Sequence, residues 1–267
     1  LTVEANGPGR IDFDAAVGTP PNEVGALLVN DASSVNFAGS VDADSVVQLA
    51  GTMITTFFGD VTTSQAAGID VTTNGVVTSG TRILTANGAG SIAITVGGSN
   101  LVPDGGQLTF TTSNDVIVTG NTAAAADEDV VISALATDVE FTGTVGAGSL
   151  TQLASGTGTT TLRDNVTTTT GGVSLDTVSI VLDGLTMNTT AAAAAGDVTL
   201  TGATTLATAD VNITTAGGDV SFAGAGTIEG GRDLQITAGA GLVGVTGAIG
   251  AVDVGDGAGP AIEIVSS

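Results

Sequence analysis

The chain has 267 residues, a formal charge of −23, 41 Gly and 7 Phe, and it lacks Cys, His, Trp and Tyr. Its only cations are Arg10, Arg82, Arg163 and Arg232, so Lys is absent too. This composition excludes disulfides, thiolate and Schiff-base chemistry and Lys–Asn cross-links, and its charge repels nucleic acid and anionic membranes.

The chain is 42% hydrophobic, which argues against the disorder that high acidity can signal. No apolar run approaches the roughly 20 residues needed to span a bilayer, and the longest low-complexity apolar stretch is Ala191 to Ala195. A start at Leu1 rather than Met suggests a processed protein or a segment of a longer one.

Read in chain order, the sequence offers short strands and almost no helix. Ile11 and Phe13 open an alternating segment that continues to Val17, Gly18, Thr19 and Pro20. Val35, Phe37, Gly39, Val41 and Ala43 then share one face, while Asn36, Ala38, Ser40, Asp42 and Asp44 take the other. Asn74-Gly75 and Asn87-Gly88 read as turns, and Ile92, Ile94 and Val96 alternate again. Gly97-Gly98 and Gly105-Gly106 bracket Pro103, and Leu108/Phe110 follow. Beyond Val139/Phe141 come the Gly171-Gly172 turn, the pairs Val198/Leu200 and Val211/Ile213, and the Gly217-Gly218 turn. Val220/Phe222, the Gly230-Gly231 turn and Leu234/Ile236 complete the pattern. Each run is four to six residues or so, the length of a half-buried strand. The class is all-β.

Internal repetition sets the architecture. The segment Val35 to Ser45, followed by Gln48-Leu49, recurs as Val139 to Ser149, followed by Gln152-Leu153, 104 residues on (35 to 139). Val61-Thr62-Thr63 matches Val166-Thr167-Thr168 with a one-residue slip, and a weaker copy lies at Val220 to Gly224. Units that cannot bury their own apolar face must stack on neighbours. The expectation is a single continuous β-solenoid over residues 1–267, with internal repeats at about 35–138 and 139–243. Its rungs would hold roughly 20–25 residues each, giving about 11–13 rungs and a rod on the order of 50–60 Å long. Phe13, Phe37, Phe110, Phe141 and Phe222, with Val35, Val139 and Val220, are expected to form inward ladders. Tandem antiparallel β-sandwiches are the alternative, with a boundary near Gly98 to Gly106. Sandwich cores usually hold Trp or Tyr, and this chain has neither.

The cadence Val-x-Phe-x-Gly-x-Val-x-Ala-x-Ser, the Gly-Asp-Val segments at 196–198 and 218–220, and the Thr-rich tails resemble filamentous-haemagglutinin-like and autotransporter-like bacterial surface proteins. That resemblance implies secretion, a right-handed parallel β-helix, and a role as stalk, filament or adhesin, with no catalytic residues carried across.

Catalytic options are few, since general-base and nucleophile chemistry usually draws on His, Cys or Lys. Asp12/Asp14, Asp42/Asp44 and Asp127/Asp129 are spaced to project from one strand face, but the Arg residues are scattered singly, and no enzyme is expected. Calcium is the one candidate cofactor: Asp127, Glu128 and Asp129 concentrate three carboxylates, although the Gly-Gly-x-Gly-x-Asp nonapeptide is missing. Thr159 to Thr161 and Thr167 to Thr170 raise an ice-binding Thr face, without a regular Thr-x-Thr on every rung. Sequons stand at Asn165, Asn188 and Asn212. The functional expectation is a structural module of an extracellular filament, stalk or matrix fibre that self-associates through stacked coils. The alternative is an adhesin rod with a cell-surface or glycan receptor. Neither nucleic acid nor direct membrane insertion is expected.

Overall fold

In the computed structural model the described residues are all except 6–8, 20–21, 134, 191–195, 225–226, 251–253, 256–260 and 267, with the side chains of 154–156 and 266 also undescribed. The Ala191 to Ala195 run and Pro20 therefore lie outside the described residues. The rest forms 31 short strands and no helix. Every pairing between these strands is parallel, and the one antiparallel contact described is an isolated bridge, Thr19 to Asn22. The chain is a β-solenoid of about 10 turns. Tandem antiparallel sandwiches are ruled out. Pro103, near their expected boundary, sits inside the strand Leu101–Asp104, which pairs with a strand on either side.

Three strands make one circuit. The first face is a twelve-stranded sheet that starts with Arg10–Phe13, Ser34–Phe37 and Ile54–Phe57 and finishes with Ile262–Ser266. The second face starts with Val41–Ala43 and Val61–Thr63, and the third with Thr2–Val3, Leu27–Val29 and Val46–Gln48. These two faces merge into one nineteen-stranded sheet because Leu150–Leu162, Val173–Leu182 and Val198–Leu206 run through the corner between them. Register irregularities at Gln152/Gly156 and Asp176/Ser179 mark the bend.

Alternation decides which side chains go in. On the first face the inward column runs Ile11, Val35, Thr55, Val76, Leu101, Thr122, Val145, Val166, Met187, Ile213, Ile236 and Ile264. The second face carries Val17, Val41, Val61, Leu84, Phe110, Ile132, Gln152, Leu175, Leu200, Phe222 and Val245. Stacking buries each rung's apolar side chains against the next, worth roughly 1.5–3 kcal/mol for a fully buried aliphatic.

Circuit length varies more than a fixed period allows. Val35 to Thr55 takes 20 residues, Met187 to Ile213 takes 26 and Leu234 to Ile262 takes 28. Single circuits exceed the expected 20–25 residues, but the eleven steps from Ile11 to Ile264 on the first face average 23 residues, inside that range.

The 104-residue echo is out of phase with the coil. Four circuits carry Val35 to Thr122 and five carry it to Val145, so a step of 104 residues falls between them. Val35 lies on the first face and Val139 on the third, while Val41 and Val145 lie on the second and first. What the two copies share is a corner. Thr55 Oγ1 donates to Gln48 Oε1 at 2.8 Å, and Thr160 Oγ1 donates to Gln152 Oε1 at 2.6 Å, both inside the core. In each copy the following Leu points outward: Leu49 is 56% and Leu153 is 50% exposed.

Corners also use part of the acid content. Asp115 Oδ1 accepts from the Asp138 N–H one turn on (3.3 Å), and Asp138 Oδ1 accepts from the Thr159 N–H (2.7 Å). Asp197, Asp219 and Leu242 repeat this on the second face at 2.8 and 2.7 Å. Asn121 and Asn165 do so on the first face, toward Thr144 and Thr186, as does Asp210 toward Asp233. Each side chain holds a corner N–H that the bent backbone leaves without a ladder partner. Asp138→Ala is therefore expected to lower unfolding free energy by about 1 kcal/mol. Asp138→Asn, which keeps the acceptor, should fall within about 0.5 kcal/mol of the parent in urea titrations. Equal losses in the two variants would remove the corner bond as the cause.

Candidate functional surfaces

The expected Phe ladder divides among the faces. Phe13, Phe37 and Phe57 stack on the first face, with ring centroids 4.8 and 5.1 Å apart and planes within 4° of parallel. Phe110 and Phe222 lie on the second face, Phe110 between Leu84 and Ile132 and Phe222 between Leu200 and Val245. Phe141 lies on the third face between Val118 and Leu162. Val35, Val139 and Val220 are all inward and buried, on the first, third and second faces respectively. Phe57 is the member that sequence pattern misses: Thr55, not an aliphatic, stands two residues before it, and its neighbour Phe58 is exposed.

The three carboxylates at 127–129 are neighbours in sequence with separate partners. Asp127 Oδ1 accepts from Thr169 Oγ1 at 2.8 Å, and Asp129 Oδ1 accepts from Ser149 Oγ at 2.7 Å. Glu128 receives the N–H groups of Gly105 and Ala126 at 2.9 and 2.6 Å. Partial burial pushes the Glu128 carboxyl up, but these backbone donors outweigh it and hold the group below its ordinary value. Among the described residues no group of three or more acidic side chains is arranged to hold a metal ion.

The other acidic pairs are likewise divided. Asp12 bonds Arg10 at 2.6 Å, and Asp44 accepts from Ser64 Oγ at 3.4 Å. Arg163 joins Glu140 at 2.5 Å and Asp183 at 3.0 Å across successive turns, and the Glu140 contact raises its already high pKa. Thr208 also donates to Asp183.

The Thr runs split between inside and outside. Thr160 and Thr168 are buried, Thr168 donating to Gly171 O at 2.7 Å, while Thr159, Thr161 and Thr167 face outward. On the second face the column that alternates with the inward one reads Thr109, Val131, Thr151, Ser174, Thr199 and Ser221, its first two members buried, so hydroxyls recur without forming a complete double row. Of the sequon residues, Asn165 Oδ1 accepts from Thr186 N–H and Asn188 Oδ1 from Thr190, while Asn212 faces outward on the first face.

Two shallow depressions lie on the first face. One, toward the C-terminal turns, is lined by Asp210, Asn212, Asp233, Gln235 and Glu263. The other, toward the N-terminal turns, gathers Arg10, Ile54, Phe58 and Val77. The first holds three carboxylates, of which Asp210 accepts from the Asp233 N–H and Glu263 from Gln235 Nε2. Among the described residues no helix is long and apolar enough to cross a membrane. No protein-family model matches the chain, and no curated protein or solved structure matches it.

Proposed function

We propose that this chain is a structural module of an extracellular bacterial filament, stalk or matrix fibre, joined to further copies by end-on stacking of the coil. The supporting observation is the first-face column, in which twelve strands pair without a break from Arg10–Phe13 to Ile262–Ser266. Such a column transmits tension along the axis through rows of backbone hydrogen bonds, while its buried apolar side chains exclude water. Strands at either edge of the sheet offer the same donors and acceptors again, and strand addition satisfies them. The resemblance to filamentous-haemagglutinin-like and autotransporter-like proteins agrees with this role and with secretion.

Negative-stain electron microscopy tests the proposal. The purified chain should form uniform fibres one solenoid wide, and added salt should promote their growth and lateral bundling by screening the −23 charge. Particles that stay single at every ionic strength would end the stacking role. An adhesin rod is the second reading, favoured by the exposed Ile54 and Phe58, which share one first-face depression with Arg10. It expects discrete rods whose binding to cells or glycans is lost in Phe58→Ser.

A further inference from the structure

We infer that successive copies stack with the coil in phase, so that Glu263 of one copy lies across Arg10 of the next. This rests on the end-on association proposed above and specifies its partner surface and register.

The register comes from the columns. Ile264 continues the inward first-face column whose other extreme is Ile11, and it is 53% exposed although Ile236 beneath it is buried. Val245 continues the second-face column that starts at Val17. A further rung laid over the last one in phase sets Ile11 on Ile264 and covers it, with Thr2–Val3 over Ala248–Ile249, while Val17 follows a further turn above Val245. The residues one position earlier then fix the polar contact. Glu263 follows the outward row Thr186, Asn212 and Gln235, and Arg10 starts the row that continues to Ser34. At the ladder spacing of about 4.8 Å, an acid meets a base.

Both groups are already oriented. The Arg10 guanidinium is held along its strand by Asp12 Oδ1 at 2.6 Å, with 61% of the side chain still exposed. The Glu263 carboxylate receives Gln235 Nε2 at 2.9 Å. One of four cations in the chain thus stands at the first rung of this face, and an acid stands at the last. Turning the second copy by one face would set Glu263 near Ala16 or Thr2, neither of them a cation. Charge complementarity therefore selects the in-phase arrangement over the other two.

Charge reversal tests the register. Glu263→Arg replaces one negative charge by a positive one, so general repulsion alone predicts faster growth. The in-phase register predicts fibre growth about tenfold slower, because Arg would face Arg10. Arg10→Glu should slow growth as well, and the double variant, with the parent's net charge, should recover the parent rate. Unchanged circular dichroism and melting would show that the variants fold. If the parent forms fibres and Glu263→Arg matches or exceeds its rate, the register is wrong while end-on association stands. If the parent forms none, association itself fails and the register with it.

Discussion

Replacing Phe37 by Ala is expected to cost about 3–5 kcal/mol of stability, the largest loss from any single truncation on the first face. Phe37 is the middle ring of the only aromatic stack among the described residues, with Phe13 and Phe57 on either side and no solvent contact of its own. Truncation removes that ring's buried area and leaves a cavity that the backbone ladder, fixed by pairing above and below, cannot close. The outer neighbours lose their stacking partner too, worth roughly 0.5–1.5 kcal/mol per pair. Phe58→Ala is the matched control, since Phe58 is 46% exposed, and should cost under about 1 kcal/mol. Because solenoid turns depend on nearest neighbours, the loss should appear first in the N-terminal turns, as faster hydrogen exchange around Val35 and Thr55. Equal effects of the two Phe substitutions would remove the stack as a source of stability.

Gly68→Ala is expected to cost about 2–4 kcal/mol, a large penalty for one methyl group. Gly68 adopts φ +60°, where an L-residue loses roughly 1–2 kcal/mol. A Cβ there would also come within 2.1 Å of the Ser91 carbonyl oxygen on the next turn. That oxygen accepts the Ile69 N–H at 3.0 Å, so relieving the clash pulls apart the bond that starts the next strand pair. Gly244 is the contrasting position: nothing lies within 4 Å of its added Cβ and its φ is not positive. Gly244→Ala should change stability by less than about 0.5 kcal/mol. Thermal unfolding of the two variants side by side decides the matter, and similar melting temperatures would contradict the close packing of turns at this corner.

The strand segments were legible because alternation is a local signal. Ile92/Ile94/Val96, Val198/Leu200 and Leu234/Ile236 all fall within strands with the expected residues inward. Repetition correctly pointed to stacking, but it could not assign faces. A strand–corner–strand motif looks the same whichever two faces it joins, so the echo reads as a unit of the coil while its copies sit on different faces. Its Gln was visible and its role was not, because the Thr partner lies seven or eight residues on, beyond an irregular corner. The corner Asp and Asn residues were hidden for a related reason: their acceptor bonds reach an N–H on the next turn, and turn length varies. The hydrogen-bond partners of the carboxylates at 127–129 were hidden too, since Thr169, Ser149 and Gly105 lie 20 or more residues away in sequence.

These corner bonds bear on the proposed mechanical role. The corner Asp side chains spend their oxygens on backbone N–H groups while their charge stays at the periphery, where in the proposed fibre it would keep neighbouring rods apart. A ladder carries load along the axis only if its rungs stay in register, and the corner acceptors hold that register where no strand pairing does.

X-ray diffraction from aligned fibres of the chain tests the account most directly. Coils stacked in phase predict a strong meridional reflection near 4.8 Å, because every strand runs across the fibre axis and the rung spacing continues through each junction. A pattern with the 4.8 Å spacing off the meridian, or with no strand reflection at all, would contradict a load-bearing ladder running the length of the fibre.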